Sequence, residues 1–195
     1  MKLLNPNDIF IISQKIALLD AILSPEWEYR YYSFNNKWSQ EQQMASMRDG
    51  SGIEYFILFE NENCGIKYFN KTIDNTCKEF YLKNNKSNNK FVRDFLNEPA
   101  FSIESTTYFA FWDELSTGWT EIGRIDGKEF LIFTDPIEEY IKYAEECFER
   151  KIRKNVVSKL FSDHLSKDDV LLLNNEINLV NLQNDLEEIG LRLEK

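Results

Sequence analysis

Between Ile53 and Phe59 the chain reads Ile-Glu-Tyr-Phe-Ile-Leu-Phe, with apolar side chains on both of its alternating faces. A strand that offers apolar groups in both directions belongs in the middle of a sheet covered on both sides. Thr106-Thr107-Tyr108-Phe109-Ala110-Phe111-Trp112 has the same character and predicts a second central strand. A chain with two such segments must supply strands to flank them and helices to cover them.

The flanking elements follow from turn and cap signals. Gly65 to Phe69 lies beyond the turn-forming Asn61-Glu62-Asn63 and predicts a hairpin partner for the first central strand. Trp119 to Ile125 and Phe130 to Phe133 flank the turn dipeptide Asp126-Gly127 and predict a further hairpin. The aromatic run Trp27 to Phe34 predicts a strand. Ile9, Ile12, Ile16, Leu19 and Leu23 recur at helical spacing, with Asn5 as cap, Pro6 at the first position and Pro25 as stop. Ser39 with Gln42 has capping-box spacing, predicting a short helix through Met44 and Met47 that ends at Gly50. A short helix is expected around Phe91 to Leu96, after the polar, aperiodic loop of residues 83–90. From Asp135-Pro136, one apolar stripe through Ile137, Ile141, Ala144, Phe148, Ile152, Val156 and Leu160 predicts a long helix, laced outside by i,i+4 pairs such as Glu138 with Lys142. Helices beginning near Ser166 and Asn181 complete the chain, Gly190 terminating the last. The expected fold is α+β, an antiparallel or mixed sheet of about five or six strands with packed helices and a helical C-terminal third. Residues 1–135 and 136–195 are expected to form one domain, the usual allotment for 195 residues.

Charge and cysteine usage narrow the function classes. The formal net charge is −10, from 33 acidic against 23 basic residues. Nucleic-acid binding draws its affinity from phosphate neutralisation, so the balance argues against it, and anionic membrane surfaces are disfavoured for the same reason. A basic protein partner is compatible. Cys64, Cys77 and Cys147 are odd in number and widely spaced, the usage of a reducing compartment, so the cytoplasm is the expected location and no cofactor or metal is expected. The start of the chain meets Asn5-Pro6-Asn7-Asp8 before any signal-peptide core develops.

His164 is the single histidine and sits beside Asp163, which excludes a multi-histidine metal cluster and leaves no expected catalytic residue. Two groups of residues carry the remaining functional interest. Arg48, Asp49, Ser51 and Glu54 flank two glycines that let backbone amides converge, with an arginine fork for an anion and two carboxylates. A helix end with an internally paired arginine accounts for the same residues, and the spacing is not that of a phosphate-binding loop. Trp38, Trp112 and Trp119 could line a groove for a peptide, sugar or base, although 15 Phe, 9 Tyr and 4 Trp are also what an aromatic core requires.

The segments Trp27-Glu28-Tyr29-Arg30, Met44-Ala45-Ser46-Met47-Arg48-Asp49-Gly50-Ser51-Gly52 with Glu54-Tyr55-Phe56, Glu98-Pro99-Ala100-Phe101-Ser102, Thr106-Thr107 and Asp185-Leu186-Glu187-Glu188-Ile189-Gly190 together resemble a family of small bacterial proteins with no assigned activity. The resemblance implies a bacterial, cytosolic protein and transfers no catalytic residue. The expected role is a non-enzymatic binding protein, in the manner of an immunity or antitoxin-like factor with an acidic surface. The alternative is a small enzyme or small-ligand-binding protein that uses the Arg48 to Glu54 junction beside an aromatic cleft. An adaptor built on the long C-terminal helix would need apolar residues on both its sides, and one stripe is present.

Overall fold

The computed structural model describes residues 2–74, 77–84, 86–101, 105–112, 118–125, 127–162 and 164–194. Six strands form an antiparallel sheet whose spatial order follows the chain: β1 (Tyr32–Asn35), β2 (Gln42–Arg48), β3 (Ile53–Glu60), β4 (Asn63–Asn70), β5 (Tyr108–Trp112) and β6 (Thr120–Gly123). With the helices it makes the expected α+β fold. The chain divides into two compact units, residues 37–126 and residues 1–36 with 127–195.

The unit of residues 37–126 is built on β2 to β6. Register places Met44, Leu58, Gly65 and Phe111 in one cross-strand row, and Ser46, Phe56, Lys67, Phe109 and Ile122 in the next. That face is covered by α3 (Lys90–Leu96), whose Phe91, Phe95 and Leu96 enter a core with Phe56, Phe101, Phe109 and Phe111. Gly65 permits this approach, because a Cβ there would lie 2.9 Å from the Phe95 ring. The residues of the opposite face, among them Tyr55, Ile57, Ile66, Tyr68 and Ala110, are also buried, so β3 and β5 are apolar in both directions for the reason expected. Asn89 caps α3 by accepting the Val92 amide at 3.1 Å. Before it comes α2 (Lys78–Asn84), which has no buried residue and no legible period.

In the unit of residues 1–36 and 127–195, α1 (Pro6–Leu23) is capped by Asn5, whose side chain accepts the Asp8 amide at 3.0 Å, and it packs beside β1. The remaining helices are α4 (Pro136–Cys147), α5 (Lys154–Ser162), α6 (Lys167–Leu173) and α7 (Leu179–Ile189). Ser166 and Asp169 form a reciprocal capping box on α6, and Gly190 closes α7 in the left-handed region.

Four local expectations are corrected. The predicted helix from Ser39 is strand β2, which pairs antiparallel with β3 from Gln42 opposite Glu60 to Arg48 opposite Glu54 and buries Met44 and Ser46 on one face and Ala45 and Met47 on the other. Ser39 instead donates its hydroxyl to Gln42 Oε1 at 2.9 Å and leads a turn into the strand. The predicted hairpin arm Phe130 to Phe133 lies in a 3-10 helix (Lys128–Phe133), whose three-residue turn brings the Phe130 and Phe133 rings to 5.9 Å; Asp126 lies outside the described residues. The predicted strand from Trp27 begins at Tyr32, after a 3-10 turn at Trp27–Tyr29. The long helix is interrupted: Glu149 takes φ 51° between α4 and α5, and Glu138 pairs with Lys154 rather than with Lys142.

Candidate functional site

Arg48 and Glu54 face each other across β2 and β3, and the residues between them form the connecting turn, with Gly50 at φ 67° and Gly52 at φ 107°. The junction therefore joins strand to strand, where the sequence predicted helix to strand. Asp49 organises it. One carboxylate oxygen accepts the amides of Ser51 at 2.8 Å, Gly52 at 3.0 Å and Ile53 at 2.8 Å, while the other takes the Ser51 hydroxyl. Burial works against ionisation, but the Ser51 hydroxyl and the converging amides outweigh it and hold the Asp49 carboxyl below its ordinary range. Asp49 and Ser51 thus spend their polar atoms on the turn.

Arg48 and Glu54 do something different. The Arg48 guanidinium lies over the Phe56 ring at 4.9 Å and makes no hydrogen bond or ion pair among the described residues. Glu54 accepts from Lys67 Nζ at 2.5 Å. Lys67 is fully buried, a rare placement for an ammonium group, with the rings of Phe56 at 5.3 Å and Phe69 at 5.6 Å beneath it. Burial lowers its ionisation range and the Arg48 charge adds to that, while Glu54 opposes both. Phe56 stacks on Phe101 at 4.9 Å, and Phe101 on Trp38 at 6.2 Å. Trp38, Arg48 and Glu54 are thereby brought into one continuous cluster of two cations, one carboxylate and four aromatic side chains.

Trp112 and Trp119 do not join it. They meet each other at 5.8 Å, and Trp112 is paired with Cys64 at the far end of β4, on the opposite face by strand alternation. Lys67 is the member of the cluster that sequence reasoning missed. Its signal was alternation, since it shares a face with Gly65 and Phe69.

Two further features lie in the helical unit. Asp20, in the apolar run Ala17 to Leu23 of α1, is fully buried and forms no salt bridge among the described residues. It accepts the amides of Tyr31 and Tyr32, each at 2.9 Å, and the hydroxyls of Tyr140 at 2.8 Å and Tyr143 at 3.2 Å. Burial pushes its carboxyl up to about 6 against these four donors, and the same burial, with the Asp20 charge, raises the Tyr140 and Tyr143 hydroxyls above their ordinary range.

The other feature is exposed. Trp27 and Tyr29 stand 59% and 65% exposed, interleaved with Glu26 and Glu28. Arg30 beside them is consumed internally, by a two-point pair with Asp185 at 2.7 and 3.1 Å and by the carbonyls of Ser24 and Pro25. Neighbouring Glu188 has its carboxyl pushed up by burial and by the Asp185 charge, with Arg30 opposing.

Among the described residues no group of three His, Cys, Asp or Glu side chains could hold a metal ion, and no helix is long and apolar enough to cross a membrane. Cys64, Cys77 and Cys147 are all free thiols. Compared with known proteins, the chain matches no family model, no curated protein and no solved structure.

Proposed function

We propose that the chain is a non-enzymatic binding protein that docks a basic protein partner, an immunity or antitoxin-like role, through the face that carries Trp27 and Tyr29. The observation that supports this reading is the exposure of two large aromatic side chains among carboxylates. Trp and Tyr are the residue types that dominate binding hot spots, and water-exposed rings of this size are costly unless a partner covers them. Glu26, Glu28 and Glu188 supply a rim that selects a cationic surface and repels nucleic acid, in keeping with the net charge of −10.

The test uses the full chain immobilised and exposed to lysate of its native host at about 20 mM and about 500 mM salt, where screening separates charge-driven from apolar retention. A basic protein is expected to be retained at low salt by the wild-type chain and lost with Trp27→Ala/Tyr29→Ala and with Glu26→Lys/Glu28→Lys. Equal retention by all three chains, or no basic protein retained by any, would overturn the reading.

A second reading, a small-ligand protein using Arg48, Glu54 and Lys67, is favoured by the Arg48 guanidinium, which has no polar partner among the described residues, and by the buried ammonium beside it. Small anions screened for thermal stabilisation, with Arg48→Ala as the control, test it: stabilisation of wild type that the variant loses supports a site at this junction.

A further inference from the structure

Lysines gather on one segment of this acidic chain. Residues 78–94 carry Lys78, Lys83, Lys86, Lys90 and Arg93 against Glu79 and Asp94, in a molecule of net charge −10. Lys90 and Arg93 share Asp94, at 2.6 and 3.6 Å. Lys78, Lys83 and Lys86 are exposed, and the uncharged Asn85 lies outside the described residues. The first two stand on α2 and the third just beyond it. This helix packs Phe80 and Tyr81 against the sheet core, Phe80 meeting the rings of Phe109 at 5.9 Å and Phe111 at 6.0 Å. Leu82 is left outside, 61% exposed, one helical turn from Lys78 and next to Lys83. A lone exposed leucine is common. One set among lysines, on a helix with no wholly buried residue, makes a small apolar centre with a cationic rim.

The molecule also carries the converse arrangement. At Trp27 and Tyr29, two exposed aromatic rings are interleaved with the exposed carboxylates of Glu26 and Glu28. Apolar centre matches apolar centre, and the rims are opposite in sign, the pattern that fixes register and turns away like-charged partners at a protein contact.

We propose that two copies of this chain associate, the α2 segment of one seated on the Trp27 face of the other. This assignment rests on that face being a docking surface and names a basic occupant for it, which any other partner must displace. The charge of −10 on both copies opposes their encounter, but at about 0.1 M salt charges more than about 10 Å apart are screened, so the facing rims decide. The contact is weak and concentration-dependent. It covers the exposed rings until a tighter partner arrives.

Sedimentation velocity of the full chain at about 0.1 M salt, from about 5 to 500 µM, covers the range in which small transient interfaces form. The wild-type mass is expected to rise above that of one chain as concentration increases. Lys78→Glu/Lys83→Glu/Lys86→Glu and Glu26→Lys/Glu28→Lys are each expected to weaken association at least tenfold, because each variant then faces itself with rims of one sign. Mixed in equal amounts, the two variants again have complementary rims and are expected to recover association to within about threefold of wild type. Trp27→Ala/Tyr29→Ala weakens association without changing charge. Circular dichroism checks that all the variants fold. A wild-type chain that stays monomeric throughout, or two charge variants whose mixture does not recover, would overturn the inference. So would monomeric wild type binding vesicles of phosphatidylserine and phosphatidylcholine through the three lysines, which would assign the α2 segment to a lipid surface. Retention of a basic lysate protein is scored separately: if wild type and the triple lysine variant retain it equally while wild type never self-associates, the docking face stands and this inference alone fails.

Discussion

A carboxylate taken wholly out of water must lose its charge or have its oxygens hydrogen-bonded, and Asp20 does some of each. Four donors hold the ionised form, yet burial still lifts its carboxyl to about 6 from 3.8. The fold therefore prefers the protonated acid. Between these two values the native state binds more protons than the unfolded chain, so stability falls as pH rises through the window, by about 3 kcal/mol in total. Above it the cost is constant. Asp20→Asn keeps a carbonyl for the Tyr31 and Tyr32 amides and an amide that Tyr140 can accept from, so denaturation in urea from pH 4 to 7 is expected to lose most of this slope. An unchanged slope in the variant would show that Asp20 is not its source. Asp169 acts in a different window. The Lys159 ammonium and the Ser166 hydroxyl and amide hold its carboxyl down at about 2, so its contribution is present above about 4 and lost as pH falls toward 2.

At the scale of elements, the stability of the sheet unit concentrates on α3. Phe95 is fully buried and meets the rings of Phe91, Phe101, Phe109 and Phe111. Phe95→Ala removes that shared neighbour and is expected to cost about 3 to 5 kcal/mol by equilibrium denaturation; a loss below about 1 kcal/mol would mean the space collapses freely. The break between α4 and α5 is a second element-scale feature. Glu149 occupies the left-handed region, where a side chain is strained, and Glu149→Gly is expected to raise stability by about 0.5 to 1 kcal/mol, measured the same way. These elements also show where local pattern stops being informative. The caps at Asn5, Ser166 and Gly190 were legible because a cap bonds within a few residues of itself. The Ser39 turn was misread because Ser-x-x-Gln spacing suits both a capped helix and a turn into a strand, and pairing with β3, remote in sequence, decided between them. The α4–α5 break was invisible because the apolar stripe continues across it.

For the molecule as a whole, net charge of −10 governs how it meets others. If a basic partner docks on the Trp27 face, its association rate is expected to fall at least tenfold between about 20 mM and 300 mM salt in stopped-flow mixing, while dissociation changes little, since long-range steering is screened and the apolar contact is not. A rate insensitive to salt would assign the encounter to the aromatic side chains alone. The same scale separates what was readable from what was not. Two-sided apolar segments, the Asn61 to Asn63 turn and the helix caps were determined by sequence alone, because alternation, turn geometry and capping are local physics, and together they imposed an α+β fold with buried central strands. Sequence also marked Trp38, Arg48 and Glu54 without being able to say that they converge. Tertiary structure decided that Phe56 and Phe101 link them, that Lys67 is buried at their centre, and that Trp112 and Trp119 lie apart. It decided likewise that Asp20 gathers donors from α1's distant neighbours. Each of these depends on register and packing between residues far apart in the chain, which no local pattern encodes.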